Sequence, residues 1–306
     1  MNFELRGATT LGLQPQTQWL WYSNRTNSVI TGDEKVGYAI SVANPNTASR
    51  IDGSAASNSA CNLPISESLY DEFLGERWHG FKFLSLADYT RIGPTGDILR
   101  TLVFGPNYNT YVEHPASGVV FGLQSGSMQL IARDADAFKV IKETRTRGRA
   151  ALCFTAHPSE PLIVYGDNYG TFHAHRFEAT AFGKAHKIAE KQRNANRAEF
   201  FANGTKLAIG GMGYLATLAY DGKKFAPLHE LSVPVRDFLC RQDDLFFVNH
   251  GMHGFATYRY GSSGFTRLAE GKPAEPIEHL VLSADLKHLA VTHKDMPKVT
   301  LFDAMK

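Results

Sequence analysis

Leu162-Ile-Val-Tyr-Gly-Asp-Asn-Tyr-Gly-Thr-Phe-His-Ala-His-Arg-Phe-Glu178 reads as two strands and the turn that joins them. Leu162 to Tyr165 is a short apolar run of the kind a buried strand carries. Gly166 to Gly170 holds the residue types that tight turns select: Gly for positive φ, and Asp and Asn for side-chain bonds to nearby backbone. Phe172 to Glu178 is the strand that follows. His173 and His175, two apart on it, point to one face.

The same pairing recurs along the chain. Strand-like segments that follow a turn and end in a polar residue or Gly are Val36–Asn44, Phe81–Asp88, Met128–Asp134, Phe172–Glu178, Leu215–Asp221, Phe255–Gly261 and Val299–Asp303. Their last residues are separated by 44, 46, 44, 43, 40 and 42 positions. Short apolar runs precede the turns at Leu162–Tyr165, Leu207–Ile209, Leu245–Val248 and Leu289–Val291. Before those come Ala151–Phe154, Ala198–Phe201, Phe238-Leu239 and His279–Leu282. One unit is therefore an inner strand, a second strand, a Gly-rich turn, a third strand and an outer strand. A period of roughly 40–45 residues with four strands per unit is that of a β-propeller. His114-Pro115 and His157-Pro158 recur one period apart, in the loop after the inner strand.

The chain resembles the WD40-like family of seven-bladed β-propellers over nearly its whole length. Asp88, Asp134, Asp221 and Asp303 end third strands where that family often has Trp-Asp, but no Trp precedes them, and the Gly-His that opens each repeat is missing. The resemblance implies an all-β, seven-bladed propeller acting as a scaffold. The expected organisation is one domain, 1–306, whose second blade, about 52–98, is irregular. Within that blade Gly53–Ala60 is loop-like, and Ser66, Leu69, Tyr70, Phe73 and Leu74 have helical spacing behind an N-cap. A distorted blade, a helix-bearing insertion and a shifted blade boundary all fit that segment. The last unit lacks an outer strand, and Phe3 to Leu13 is expected to supply it and close the last blade.

Composition bounds the function. The 306 residues are 43% apolar and 20% charged, which excludes a largely disordered chain. With 32 basic and 30 acidic residues, no polyanion-binding field covers the whole molecule. Cys61, Cys153 and Cys240 are scattered and form no C-x-x-C, as suits a reducing cytoplasm. No secretory signal or membrane span is expected, and the triplets at Asn24 and Asn203 are read as chance matches to a glycosylation site. Local charge is uneven. Lys139 to Arg197 holds eleven Lys and Arg against five acids, whereas residues 1–100 hold eight basic against ten acidic. That patch admits an acidic protein, an anionic lipid surface or nucleic acid as partner.

Chemical motifs are few. His250-x-x-His253 and the pair His173/His175 are of ligand type, but no acidic residue at a diagnostic spacing completes a metal site. Gly210, Gly211 and Gly213 lack the Lys-Ser/Thr of a phosphate loop and read as a turn with positive φ. There is no Gly-x-Ser-x-Gly elbow. The expected function is a non-enzymatic interaction module or subunit of a larger assembly, with no catalytic residue, no metal and no cofactor. The alternative is a metal-dependent hydrolase or lactonase using the central channel, where Asp33, Asp167, Asn168 and Asp295 are conceivable ligands. A protein partner is expected on the face formed by the turns between second and third strands and by the blade-to-blade connections. The turns carry Asp33, Asp167, Asn168, Tyr169, Met212, Met252, His253 and Asp295; the connections carry Arg145, Arg147, Arg149 and Arg193. Tyr, Met and Arg are types enriched in interface cores.

Overall fold

The computed structural model describes residues 3–12, 19–23, 27–32, 37–51, 108–113, 120–124, 127–134, 137–146, 151–178, 181–191, 193–283 and 285–304. The irregular second blade (about 52–98), the helix expected at Ser66–Leu74, His114-Pro115, Asp33, Cys61, Arg147 and Arg149 lie outside the described residues. No helix among the described residues is long and apolar enough to cross a membrane.

Six antiparallel sheets are described. The first is β2 (Trp19–Ser23), β3 (Ser28–Gly32), β4 (Gly37–Ser41) and β5 (Ser49–Ile51). The second is β6 (Tyr108–Glu113), β7 (Val120–Gln124), β8 (Ser127–Asp134) and β9 (Ala137–Arg145). The third has β10 (Ala151–Ala156), β11 (Leu162–Asp167) and β12 (Thr171–Glu178), with the outer position split between β13 (Ala181–Phe182) and β14 (His186–Glu190), both paired to β12. The fourth is β15 (Ala195–Phe201), β16 (Lys206–Gly211), β17 (Tyr214–Tyr220) and β18 (Phe225–Leu231). The fifth is β19 (Asp237–Arg241), β20 (Leu245–Asn249), β21 (Phe255–Gly261) and β22 (Gly264–Gly271). The sixth is β23 (Ile277–Leu282), β24 (His288–His293), β25 (Met296–Ala304) and β1 (Phe3–Thr10).

That last pairing is the one expected of the N-terminal segment. β1 runs antiparallel to β25, from Phe3 opposite Ala304 to Thr10 opposite Lys298, with a bulge between Leu5 and Gly7. The Phe3 ring meets Phe255 edge-on at 5.5 Å and Phe247 at 6.0 Å.

Position in the sheet explains the residue pattern. Second strands are covered on both faces by neighbouring sheets, so β11 and β20 are buried at every residue and read as unbroken apolar runs. Outer strands β14 and β18 are exposed or half-buried; β14 is correspondingly polar, whereas β18 keeps apolar residues such as the exposed Leu228. Apolar clusters fill the space between consecutive sheets. Met128 and Leu130 pack on Phe154, Ile163 and Tyr165; Val164 and Phe172 on Ile209 and Leu207; Phe201 and Leu215 on Phe238 and Phe246; Phe247 and Phe255 on Leu280 and Val291. Val299 and Leu301 of the sixth sheet in turn pack with Leu20, Val29 and Ile40 of the first.

Candidate interaction face

Each sheet runs up and down, so the turns between its second and third strands share one face with the links that leave its outer strand. Backbone bonds lock these two loop classes together. Lys191 N–H donates to Gly170 O at 3.0 Å, Gly213 N–H to Val235 O at 2.6 Å, Arg236 N–H to Asn249 O at 2.8 Å, and Lys294 N–H to Pro276 O at 2.9 Å.

The turn after β11 is built on Asp167. Its Oδ1 accepts the N–H of Tyr169 at 2.8 Å and of Thr171 at 2.9 Å. Asp167 is buried, so it is a staple of the turn rather than a surface contact, in keeping with the backbone role that its residue type suggests in a turn. Gly170 has φ +76°, and a Cβ there would lie 2.0 Å from Arg193 O. The expectation for the glycine cluster needs correcting. Of its three members only Gly213 has positive φ; Gly210 and Gly211 lie in β16, where a Cβ would meet the Phe238 ring at 2.7 Å and Asn194 O at 1.8 Å. Arg193 spans the gap between these two turns, donating from Nη1 to Met212 O at 3.5 Å.

The turn after β20 is a 3-10 turn, Gly251–His253. Buried Asn249 anchors it, accepting Gly251 N–H at 2.7 Å and donating to Glu278 O at 3.1 Å. Both ring nitrogens of His250 are engaged, Nδ1 with Pro234 O and Nε2 with the Tyr258 hydroxyl, and burial lowers its pKa below the usual 6.5. His253, by contrast, is exposed. The spacing His250-x-x-His253 thus splits into one structural and one surface residue. His173 and His175 do share a face, where their rings lie 5.1 and 5.6 Å from that of Tyr165, inside the packing between the second and third sheets. No group of three or more His, Cys, Asp or Glu among the described residues is arranged to hold a metal ion.

These fixed turns hold apolar side chains in solvent. Tyr169 is 54% exposed, Met212 60%, Met252 70% and Met296 39%, one on each of four successive sheets. Sequence reading found the first three. It stopped at Asp295 in the last turn, which has φ +61°, and missed Met296, the first residue of β25, which follows the positive-φ residue of its turn where Tyr169 and Met212 precede theirs. Arg145 is exposed at the end of β9, and Arg193 and Asn168 are exposed on the same face.

Sequence reading also missed a buried ionic belt on the inner strands. Arg197 of β15 grips Asp237 of β19 with two parallel bonds, Nε to Oδ1 at 2.7 Å and Nη2 to Oδ2 at 3.0 Å. Burial works to lower the Arg197 pKa, but the Asp237 carboxylate outweighs it and holds the guanidinium above its ordinary value. Buried Glu199 accepts Cys240 N–H at 2.8 Å and faces Arg241 at 3.3 Å. Cys153 and Cys240 are free and buried. Burial pushes the Cys153 thiol up to about 12 and the Cys240 thiol still higher, which keeps both protonated at neutral pH.

Solved structures share this architecture. The β-propeller domain of Cps50 (Swd1) from Myceliophteria thermophila superposes with a TM-score of 0.66, covering 99% of this chain and 100% of that one at 10% identity. The fold is that of a WD40-like β-propeller. A chain of the mitotic checkpoint complex matches this WD40-like fold with a TM-score of 0.64 at 10% identity, covering 99% of this chain and 95% of the other. The sequence itself matches no family model and no curated protein.

Proposed function

We propose that this chain is a single-domain, seven-bladed propeller of the cytoplasm that works without catalysis as a protein–protein interaction module, using the face of Tyr169, Met212, Met252 and Met296. The observation that carries this reading is the repetition itself. Four successive sheets each expose one large apolar side chain at the equivalent turn. Exposed apolar residues are ordinary when scattered, but here four of the seven large ones among the described residues fall in one loop class on one face. Their turns are fixed by close-packed glycines and by hydrogen bonds to the neighbouring links, so little ordering cost remains on binding. Thioethers adapt to varied partner shapes. Arg145, Arg193 and His253 stand beside them, and Arg147 and Arg149 complete the expected partner-binding set. The two solved structures come from a chain named as Cps50 (Swd1) and from a chain of an assembly, and the present reading extends that kind of role to this protein.

The test is retention of proteins from an extract of the native host on immobilised wild-type protein and on two variants. Met212→Ser/Met252→Ser alters the face. Leu228→Ser alters the exposed outer strand β18 and serves as the control. A partner held by wild type and Leu228→Ser but lost from the methionine variant supports the assignment. Retention of every captured protein by the methionine variant refutes it.

A further inference from the structure

We infer that this face selects an acidic, apolar segment of its protein partner: a stretch in which Asp or Glu side chains accompany large aliphatic or aromatic ones. The inference rests on the interaction-face reading above and adds the chemistry of the ligand.

Charge divides between the two faces of the molecule. The described loops on the proposed face, within residues 168–170, 191–194, 212–213, 232–236, 250–254, 272–276 and 294–295, carry Lys191, Arg193, Arg236, Lys272 and Lys294 against Glu275 and Asp295. On the opposite face, residues 157–161, 183–185, 202–205, 221–224, 242–244 and 283–287 carry Glu160, Asp221, Asp243, Asp244 and Asp285 against Lys184, Lys223, Lys224 and Lys287. Within the proposed face, some cations are already committed. Lys191 pairs with Glu230 at 2.6 Å, and Arg236 with Glu278. Of the two acids, Glu275 is held by Lys298 at 2.6 Å. Arg193, Lys272 and Lys294 have no ion pair among the described residues, nor has Arg145 at the end of β9. Four available cations therefore border the apolar arc of Tyr169, Met212, Met252 and Met296.

A partner has to satisfy both halves of that pattern. A plain polyanion would pair with the cations and leave three thioethers uncovered. A plain apolar helix would cover the thioethers and leave the cations at its rim without counter-charge. Nucleic acid fits less well than a peptide, because stacking platforms are aromatic and this arc holds one aromatic ring, Tyr169, among three methionines. Complementary charge around an apolar centre is the arrangement that steers and orients a protein partner.

Selection from a random twelve-residue peptide display library on the full-length protein tests the idea. The selected pool is re-bound to Met212→Ser/Met252→Ser and to Lys272→Glu/Lys294→Glu. Melting temperatures equal to wild type show that both variants fold, and neither lysine side chain makes an ion pair among the described residues. The expected result is a pool enriched over its input in both Asp/Glu and large apolar residues, weakened about tenfold by either variant and weakened by salt. A pool that depends on the methionines but has no acidic enrichment, or ignores the lysine reversal, overturns the acidic class while leaving the interaction face standing. A pool indifferent to both variants, or no enrichment at all, overturns both. Tight binding of a single-stranded RNA or DNA oligonucleotide that the lysine variant abolishes, with no peptide selected, replaces a protein partner by nucleic acid.

Discussion

Replacing Phe3 and Leu11 together by Ala measures how much of the fold depends on docking the N-terminal strand. Leu11 is buried beside Leu20, Tyr22 and Val299, and its N–H bonds to Pro297 O at 2.6 Å. Truncation of a buried Leu costs about 3 kcal/mol, the transfer free energy plus a residual cavity. Phe3 is half-buried and gives up its edge contacts with Phe247 and Phe255, so its loss costs about 2 kcal/mol, below the range for a fully enclosed ring. The two sites lie eight residues apart on an extended chain, roughly 26 Å, so their effects add. The double variant should lose about 5 kcal/mol, a large share of the stability of any domain. With an unfolding entropy of roughly 2.1 cal/mol/K per residue over 306 residues, the melting temperature should fall by about 8 °C. Differential scanning calorimetry reads the shift, and urea titration reads the free energy. Deletion of residues 1–12 is the stronger form: it opens the edge of β25 and should produce oligomers in light scattering. A double variant that melts within 2 °C of wild type, together with a deletion that stays monomeric, would show that β1 does not hold the last sheet.

Asp237→Ala should cost roughly 3–5 kcal/mol because it strands the buried Arg197 guanidinium, whereas Arg197→Met/Asp237→Leu should come within about 2 kcal/mol of wild type; urea unfolding of both separates a stranded charge from lost packing. Gly254→Ala should destabilise by about 2–3 kcal/mol, since φ is +90° and the new Cβ lies 2.2 Å from Gly271 O; an unchanged melting temperature would contradict the described turn. Acidification should destabilise the protein from about pH 6.5 downwards. Burial depresses the pKa values of His250 and His293, so the unfolded chain takes up those protons first and stability falls until the folded values are passed; above pH 7 nothing is lost. Urea midpoints between pH 7.5 and 5 should show that slope, and His293→Gln, which cannot titrate, should flatten it.

Strand positions were legible because propeller units repeat both their burial and their turns. Leu162 to Tyr165 is apolar throughout because sheets cover it on both sides, and the turn Gly166 to Gly170 needs its Asp and Gly for backbone reasons. Phe3 to Leu13 was assigned to the last sheet from its alternating apolar residues and its place before the first unit, and Phe3–Thr10 forms that strand. Other features left no trace in a one-dimensional pattern. The split outer edge at Ala181–Phe182 and His186–Glu190 depends on register, not composition. Arg197 and Asp237 belong to different units, 40 positions apart, and only the stacking of neighbouring inner strands brings them together. A charged residue inside the buried run Ala195 to Phe201 was nevertheless a visible signal that some partner must neutralise it. The exposure of Tyr169, Met212 and Met252 was legible from their place among turn residues.

Pairing β1 with β25 also fixes an order of events while the chain is being made. The described middle sheets are each built from strands close in sequence, so each has all its partners soon after it emerges. The sixth sheet does not. Phe3–Thr10 must wait for Met296–Ala304, which is made after the strands of the other five described sheets, with its N–H and C=O groups open to any other strand edge in the meantime. A ribosome that stalls between His293 and Met296 therefore releases a product with the other described sheets intact and the edges of β1 and β24 exposed at once. Such a fragment is sticky rather than unfolded.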